Sequence, residues 1–148
     1  MRRVVFDTNL ITSGVVGIRR DESTPGALLR RWFERRLTLV MSEHLLAEVE
    51  RALAKPYFVA YTTPADRALV LSTLREQATW TDVTTVVAGV ATHFEDNLVF
   101  ATALSAHAEY LVTGDQALQR LHRHQTVTIL SPREFLTLLD EQMMSDEQ

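Results

Sequence analysis

Four acidic residues of this 148-residue chain stand where short apolar runs or helix ends could hold them: Asp7, Glu48, Asp96 and Asp115. Asp7 closes "VVFD", Asp115 follows "YLVTG", Asp96 opens the apolar stretch "DNLVFATALSA", and Glu48 lies within "SEHLLAEVERAL". Carboxylates gathered in one crevice hold hard divalent cations, which activate water and neutralise charge developing on a phosphate. Two carboxylates ~4 Å apart repel by about 4 kcal/mol at an effective dielectric of 20. Such a cluster therefore binds a cation or keeps a proton. Each acid alone has a plainer reading, as a turn-former, an N-cap or a solvated helix glutamate. Only a scaffold that brings them together makes them a site.

The composition limits what that site can hold. There is no cysteine, so disulfides and thiolate metal centres are excluded, and an oxygen ligand set favours magnesium or manganese over zinc. Cysteine absence also suits a reducing cytoplasm. An apolar fraction of 46% with 23% charged residues is that of a soluble globular protein. No apolar run approaches the ~18 residues of a membrane span, and no basic-then-apolar leader precedes Val4. The expectation is one domain over residues 1–141, followed by a flexible tail at 142–148 that ends "SDEQ".

The net charge of −4 argues mildly against a general nucleic-acid binder, but its distribution is uneven. Paired arginines at Arg2–Arg3, Arg19–Arg20, Arg30–Arg31 and Arg35–Arg36 fall in the first quarter of the chain. They are compatible with solvated surface charge or with a basic region.

Short β-rich runs alternate with helical patterns, which predicts βα units around a mostly parallel sheet. Strands are expected at residues 3–6, 38–41, 110–113 and 127–130, apolar on both faces as strands covered by helices are. Helices are expected at 25–36, 43–54, 64–79, 96–108, 116–122 and 132–142. Thr24, Ser42, Thr63 and Ser131 sit where N-caps belong, with Pro25, Pro64 and Pro132 at first helical positions. Residues 83–87 read either as a fifth strand or as an irregular crossing.

In a parallel sheet, ligands bind outside the carboxyl ends of the strands. Asp7 lies just past the first strand, and Asp115 lies past the 110–113 strand at the same edge if the two are parallel. Gly114 is expected to give the sharp turn that aims Asp115 inward. Asp96 and Asn97 open a helix apolar on nearly every face, where an acid is favoured by the helix dipole. On its own helix Glu48 borders the stripe of Leu45, Leu46, Val49, Ala52 and Leu53, whereas Glu43 and Glu50 point away.

Taken together, "VVFDTNLITSG", a helix carrying Glu48, "EDN" opening an apolar helix, and "YLVTGDQAL" resemble the PIN-domain nucleases in order and spacing. The likeness is greatest to the bacterial VapC-like toxin components of toxin–antitoxin systems, and it covers residues 4 to about 135. The resemblance implies a Rossmann-like three-layer α/β/α sandwich and a Mg2+- or Mn2+-dependent endoribonuclease. It implies metal-binding acids at Asp7, Glu48, Asp96 and Asp115, and polar helpers at Thr8, Asn9, Asn97 and Thr113. It implies an RNA substrate, a cognate antitoxin protein and a homodimer. Arg19, Arg20, Arg30 and Arg31 then become candidates for holding the RNA backbone. One departure stands out: relatives usually carry a pattern like "DPDD" before the helix, whereas this chain has "HFED", with His93 and Glu95 near a commonly acidic position.

Rival readings come from other classes. A haloacid-dehalogenase-type phosphatase also begins with a strand ending in Asp, but needs a second Asp two residues on, where this chain has Asn9. A receiver-like signalling domain lacks its paired acids after the first strand. A non-catalytic module of the same fold remains the main alternative. The histidines (His44, His93, His107, His122 and His124) read as exposed or capping residues. Tryptophans and tyrosines read as core or rim packing, with Tyr57 and Tyr61 in "KPYFVAYTTP" as the exceptions that could stack on bases.

Overall fold

The computed structural model describes residues 1–84 and 94–146, with the side chains of 94–96 and 146 outside that description. Six strands form one sheet: β1 (Arg3–Phe6), β2 (Thr38–Met41), β3 (Thr79–Trp80), β4 (Tyr110–Val112), β5 (Arg123–His124) and β6 (Val127–Leu130). Their order is β3-β2-β1-β4-β6-β5. All neighbours pair parallel except β5, which pairs antiparallel with β6. The helices are α1 (Thr8–Gly17), α2 (Thr24–Phe33), α3 (Glu43–Leu53), α4 (Pro56–Tyr61), α5 (Pro64–Gln77), α6 (Phe94–Ser105), α7 (Gln116–Gln119) and α8 (Pro132–Asp146). The result is a three-layer α/β/α sandwich on a mostly parallel sheet.

The core follows from the strand sequences. Val4, Val5 and Phe6 are all buried, as are Leu39, Val40 and Met41. Such continuous apolar runs need helices on both faces. Strand β6 departs from that pattern: Val127 and Ile129 are buried while Thr128 and Leu130 are half-buried. Phe6 meets Phe135 of α8 edge-on at 6.2 Å, and Trp32 of α2 and Phe100 of α6 are fully buried.

Helix α1 is absent from the expectations above. Its Thr, Ile, Val and Gly residues are weak helix formers, and its stability comes from burial and a close approach to α2. A Cβ on Gly17 would lie 1.9 Å from Ser23 Oγ, and one on Gly26 would lie 2.1 Å from Gly17 O, so no larger side chain fits the crossing. Helix α4 is likewise unanticipated, as are the two-residue strands β3 and β5, too short to carry a periodic signal.

Several boundaries need correction. The cap of α2 is Ser23, which accepts from Gly26 N–H, and Thr24 is the first helical residue. Ser42 and Thr63 cap as expected. Ser131 Oγ accepts from Glu134 N–H at 3.1 Å while Glu134 Oε1 accepts from Ser131 N–H at 2.9 Å, a reciprocal capping box. Helix α2 ends at Phe33, not residue 36. Arg35 takes a left-handed φ of 61°, with Arg35 N–H on Trp32 O and Arg36 N–H on Arg31 O. This is a Schellman closure with arginine in the usual glycine position.

Residues 83 and 84 are not in a strand, and 85–87 lie outside the described residues. Helix α8 continues to Asp146, through most of the stretch expected to form a tail, and residues 147–148 lie outside the description. Among the described residues no helix is long and apolar enough to cross a membrane.

Candidate functional site

The register of β1 on β4 decides which side chains meet. Phe6 pairs with Val112, so the next residues, Asp7 and Thr113, leave the sheet side by side at its carboxyl edge. Asp7 N–H still donates to Val112 O at 3.2 Å, and Thr113 N–H to Leu130 O at 3.0 Å. Asp7 is 7% exposed and Thr113 fully buried. Asp7 Oδ1 caps α1 by accepting from Leu10 N–H at 2.8 Å, and its Oδ2 accepts a hydrogen bond from Thr113 Oγ1.

Thr113 also reaches Asp115. Its Oγ1 accepts from Asp115 N–H at 3.0 Å, and its carbonyl accepts from Gln119 Nε2 at 2.7 Å. Asp115 is exposed and caps α7, with Oδ1 accepting from Ala117 N–H at 2.8 Å and Leu118 N–H at 3.2 Å. Gly114 plays a lesser part than the sequence suggests. Its φ is not left-handed, and a Cβ there would meet nothing within 4 Å. The Thr113 hydroxyl and the α7 cap orient Asp115 instead.

Glu48 arrives from α3. Leu45, Leu46, Val49, Ala52 and Leu53 are buried, which leaves Glu48 at the stripe border with its side chain 10% exposed. Its Oε2 accepts from Thr8 Oγ1 at 2.9 Å, and its Oε1 lies 2.9 Å from His44 Nε2. Glu48 is therefore held on the residue that follows Asp7. The start of α3 is tied to α6 by Ser42 Oγ and Thr102 Oγ1, 3.1 Å apart and buried.

Asp7, Thr8, Glu48, Thr113 and Asp115 thus form one connected constellation. Asp96 lies in the first turn of α6, which begins at Phe94, two residues before the expected start; its side chain and that of Glu95 lie outside the described residues, as does His93. Asn97 is buried. Asn9 is exposed, and its carbonyl accepts from Thr12 Oγ1 at 3.1 Å. Among the described residues, no three His, Asp or Glu side chains converge into a ready-made metal site. The donors present are nonetheless all hard oxygens, the ligand class that hard divalent cations take. That chemistry fits a magnesium-class ion.

His44 was missed as a site residue. The signal was available, because His44 and Glu48 are four apart on one helix and such pairs face each other. His124 packs edge-on against Phe100 at 5.3 Å.

The candidate arginines divide sharply. Arg19 forms a two-pronged contact with Asp66 of α5, at 3.0 Å from Nε and 2.8 Å from Nη2. Hydrogen bonding from Arg19 holds the buried Asp66 carboxyl below the usual carboxylate range, against the opposing effect of burial. Arg30 donates to the carbonyls of Gly17, Ile18 and Arg20 at 3.3, 2.7 and 3.3 Å, closing the end of α1. Arg31 pairs with Asp140 at 3.4 Å. Arg20 is exposed, and its guanidinium has no protein partner among the described residues.

The family profile described as PIN domain matches residues 3–117, well over half of the chain. This chain is a PIN-domain protein. PIN domains are generally nucleases and generally use divalent metal ions. In fold, this PIN-domain protein is similar to the crystal structure of VapBC2 from Rickettsia felis bound to a DNA fragment from their promoter. The match has a TM-score of 0.56 at 15% identity and covers 87% of this chain and 98% of that one. No curated protein matches the sequence.

Proposed function

We propose that this PIN-domain protein is a Mg2+- or Mn2+-dependent endoribonuclease and the toxin component of a toxin–antitoxin pair. The observation that carries the reading is the Thr113 hydroxyl joining Asp7 to Asp115 at the carboxyl edge of the sheet, with Glu48 held one residue away on Thr8. Asp7, Glu48, Asp96 and Asp115 would hold the ion. A bound magnesium or manganese ion supplies an activated water and positive charge at the phosphate.

The chain's own residues supply position. Thr113 fixes Asp7, Thr8 fixes one Glu48 oxygen, and His44 restrains the other. Asn9 and Asn97 are polar helpers beside the acids. Arg19 is engaged by Asp66 of α5, Arg30 by the carbonyls at the end of α1 and Arg31 by Asp140 of α8, which leaves Arg20 as the favoured contact for an RNA phosphate. The similarity in fold to VapBC2, together with the VapC-like motifs, supports an antitoxin partner. A homodimer and a cytoplasmic location complete the reading.

A non-catalytic module of the same fold is the second reading. One experiment separates the two. Purified protein is incubated with a single-stranded RNA oligonucleotide, and with DNA of the same sequence, in magnesium, in manganese and in EDTA. Metal-dependent RNA cleavage that Asp7→Asn abolishes supports the nuclease. Intact RNA in every condition, from folded protein, leaves the binding module.

A further inference from the structure

The end of α1 farthest from Asp7 borders a cleft of about 370 Å³ that the acids do not account for. One wall is the α1 terminus and the turn after it, with Val15, Ile18 and Arg20. The other is the junction of α4 and α5, with Tyr61, Thr62 and Thr63. Arg19 and Asp66 also line it, but they satisfy each other through both prongs of the guanidinium. Asp66 therefore does not repel an incoming anion as a lone carboxylate would.

Helix α4 has no buried residue. Tyr61 and Tyr57 are each 58% exposed, and their rings lie 4.8 Å apart at a tilt of 36°. Partial stacking on Tyr57 holds Tyr61 in place and leaves it largely open to solvent. Cations lie nearby along the chain and across the cleft. Lys55 precedes α4, Arg67 donates to the Thr62 carbonyl at 3.1 Å, and Arg20 faces across the cleft. Asp21 and Glu22 are the acids next in the chain. Exposed aromatic faces beside a free guanidinium form the combination that single-stranded nucleic acids use, bases stacking while phosphates pair. The ten residues of α1 place the cleft about 15 Å from the Asp7 end, a distance that a strand of a few nucleotides spans.

We propose that this cleft is a base-stacking subsite for single-stranded RNA, with an unpaired base on Tyr61 and its phosphate on Arg20. The inference rests on the endoribonuclease reading and adds where the strand is gripped away from the acids.

The test is binding of a fluorescent ten-nucleotide single-stranded RNA in calcium, with cleavage of the same RNA in magnesium measured alongside. Tyr61→Phe keeps the ring and should bind within about twofold of the wild type. Tyr61→Leu keeps an apolar side chain without the π-face and should bind roughly tenfold more weakly. Arg20→Ala should weaken binding and reduce the log–log salt slope by about 0.7, one phosphate on a single strand. Circular dichroism of each variant checks the fold, and Arg20→Ala provides an independent readout if Tyr61→Leu does not fold.

Wild-type affinity in both Tyr61→Leu and Arg20→Ala, with cleavage intact, overturns the subsite and leaves the nuclease standing. So does a Tyr61→Leu variant that binds RNA normally but changes its sedimentation, which assigns the face to a second protein chain. A wild-type protein that neither binds nor cuts RNA overturns the nuclease reading itself.

Discussion

The Thr113 hydroxyl donates to the buried Asp7 carboxylate while accepting from Asp115 N–H. One side chain at the end of β4 therefore orients an acid at the end of β1 and the backbone of another. Thr113→Val preserves shape but leaves a buried carboxylate oxygen and an amide without this partner. Urea unfolding should show a loss of about 1–3 kcal/mol. Thr113→Ser should recover most of it. Equal stability of Val and Thr variants would mean the link has no energetic role.

Asp7 has two separable duties, and two substitutions separate them. Asparagine retains an oxygen that caps Leu10 N–H, so Asp7→Asn should stay folded, within about 1 kcal/mol of the wild type, while losing metal-dependent cleavage. Asp7→Ala removes the cap as well and should cost about 1–2 kcal/mol in thermal unfolding. Retained cleavage by Asp7→Asn would make Asp7 purely structural.

If the acids share an ion, the ion binds the folded state and stabilises it. At a metal concentration 100 times Kd the gain is about 2.7 kcal/mol, roughly 5–10 °C in Tm for a chain of this size. Glu48→Gln should blunt that shift, and Asp115→Asn should blunt it more, because Asp115 is exposed while Asp7 is buried and Glu48 half-buried. Differential scanning fluorimetry in manganese, magnesium and EDTA measures it. A Tm indifferent to metal would separate these acids from metal binding.

Asp66 yields a pH prediction with a definite sign. Its folded pKa is lowered from 3.8 by the Arg19 hydrogen bonds. Its contribution is therefore full above the unfolded value and lost as pH falls through the lower folded value. Asp66→Asn should be less stable than wild type at pH 7 by about 1 kcal/mol, a modest figure because the Arg19 side chain is largely in solvent. The difference should shrink below pH 3.8. Glu134, whose pKa is lowered by the Ser131 backbone and hydroxyl, should lose stability in the same direction. A difference between Asp66→Asn and wild type that does not change with pH would show that the pair contributes no charge-dependent stability.

Four strands are legible in the sequence alone, because their runs are apolar on nearly every residue and short. Caps at Ser42, Thr63 and Ser131 were legible because hydroxyl residues before Pro or a Glu-rich turn have few other uses. Helix α1 was not: its β-branched residues and glycines argue against a helix, and only packing on α2 makes them one. Helix α4 was not legible for a different reason: it is six residues long and buries none of them, so it has no apolar period to read.

For the site, the sequence determined which oxygens exist, that sulfur is excluded, and that Asp7 and Asp115 follow apolar runs. Which of those oxygens meet was decided by tertiary structure. A one-residue change in the β1–β4 register would turn Thr113 away from Asp7, because side chains alternate across a strand. The Thr8–Glu48 contact spans 40 positions and the Thr113–Asp7 contact 106, and no local pattern encodes such separations. The arginines show the same limit: four looked alike in sequence, and only folding engaged Arg19, Arg30 and Arg31 with carboxylates and carbonyls. Charge is a property of the residue, but availability depends on its neighbours in space.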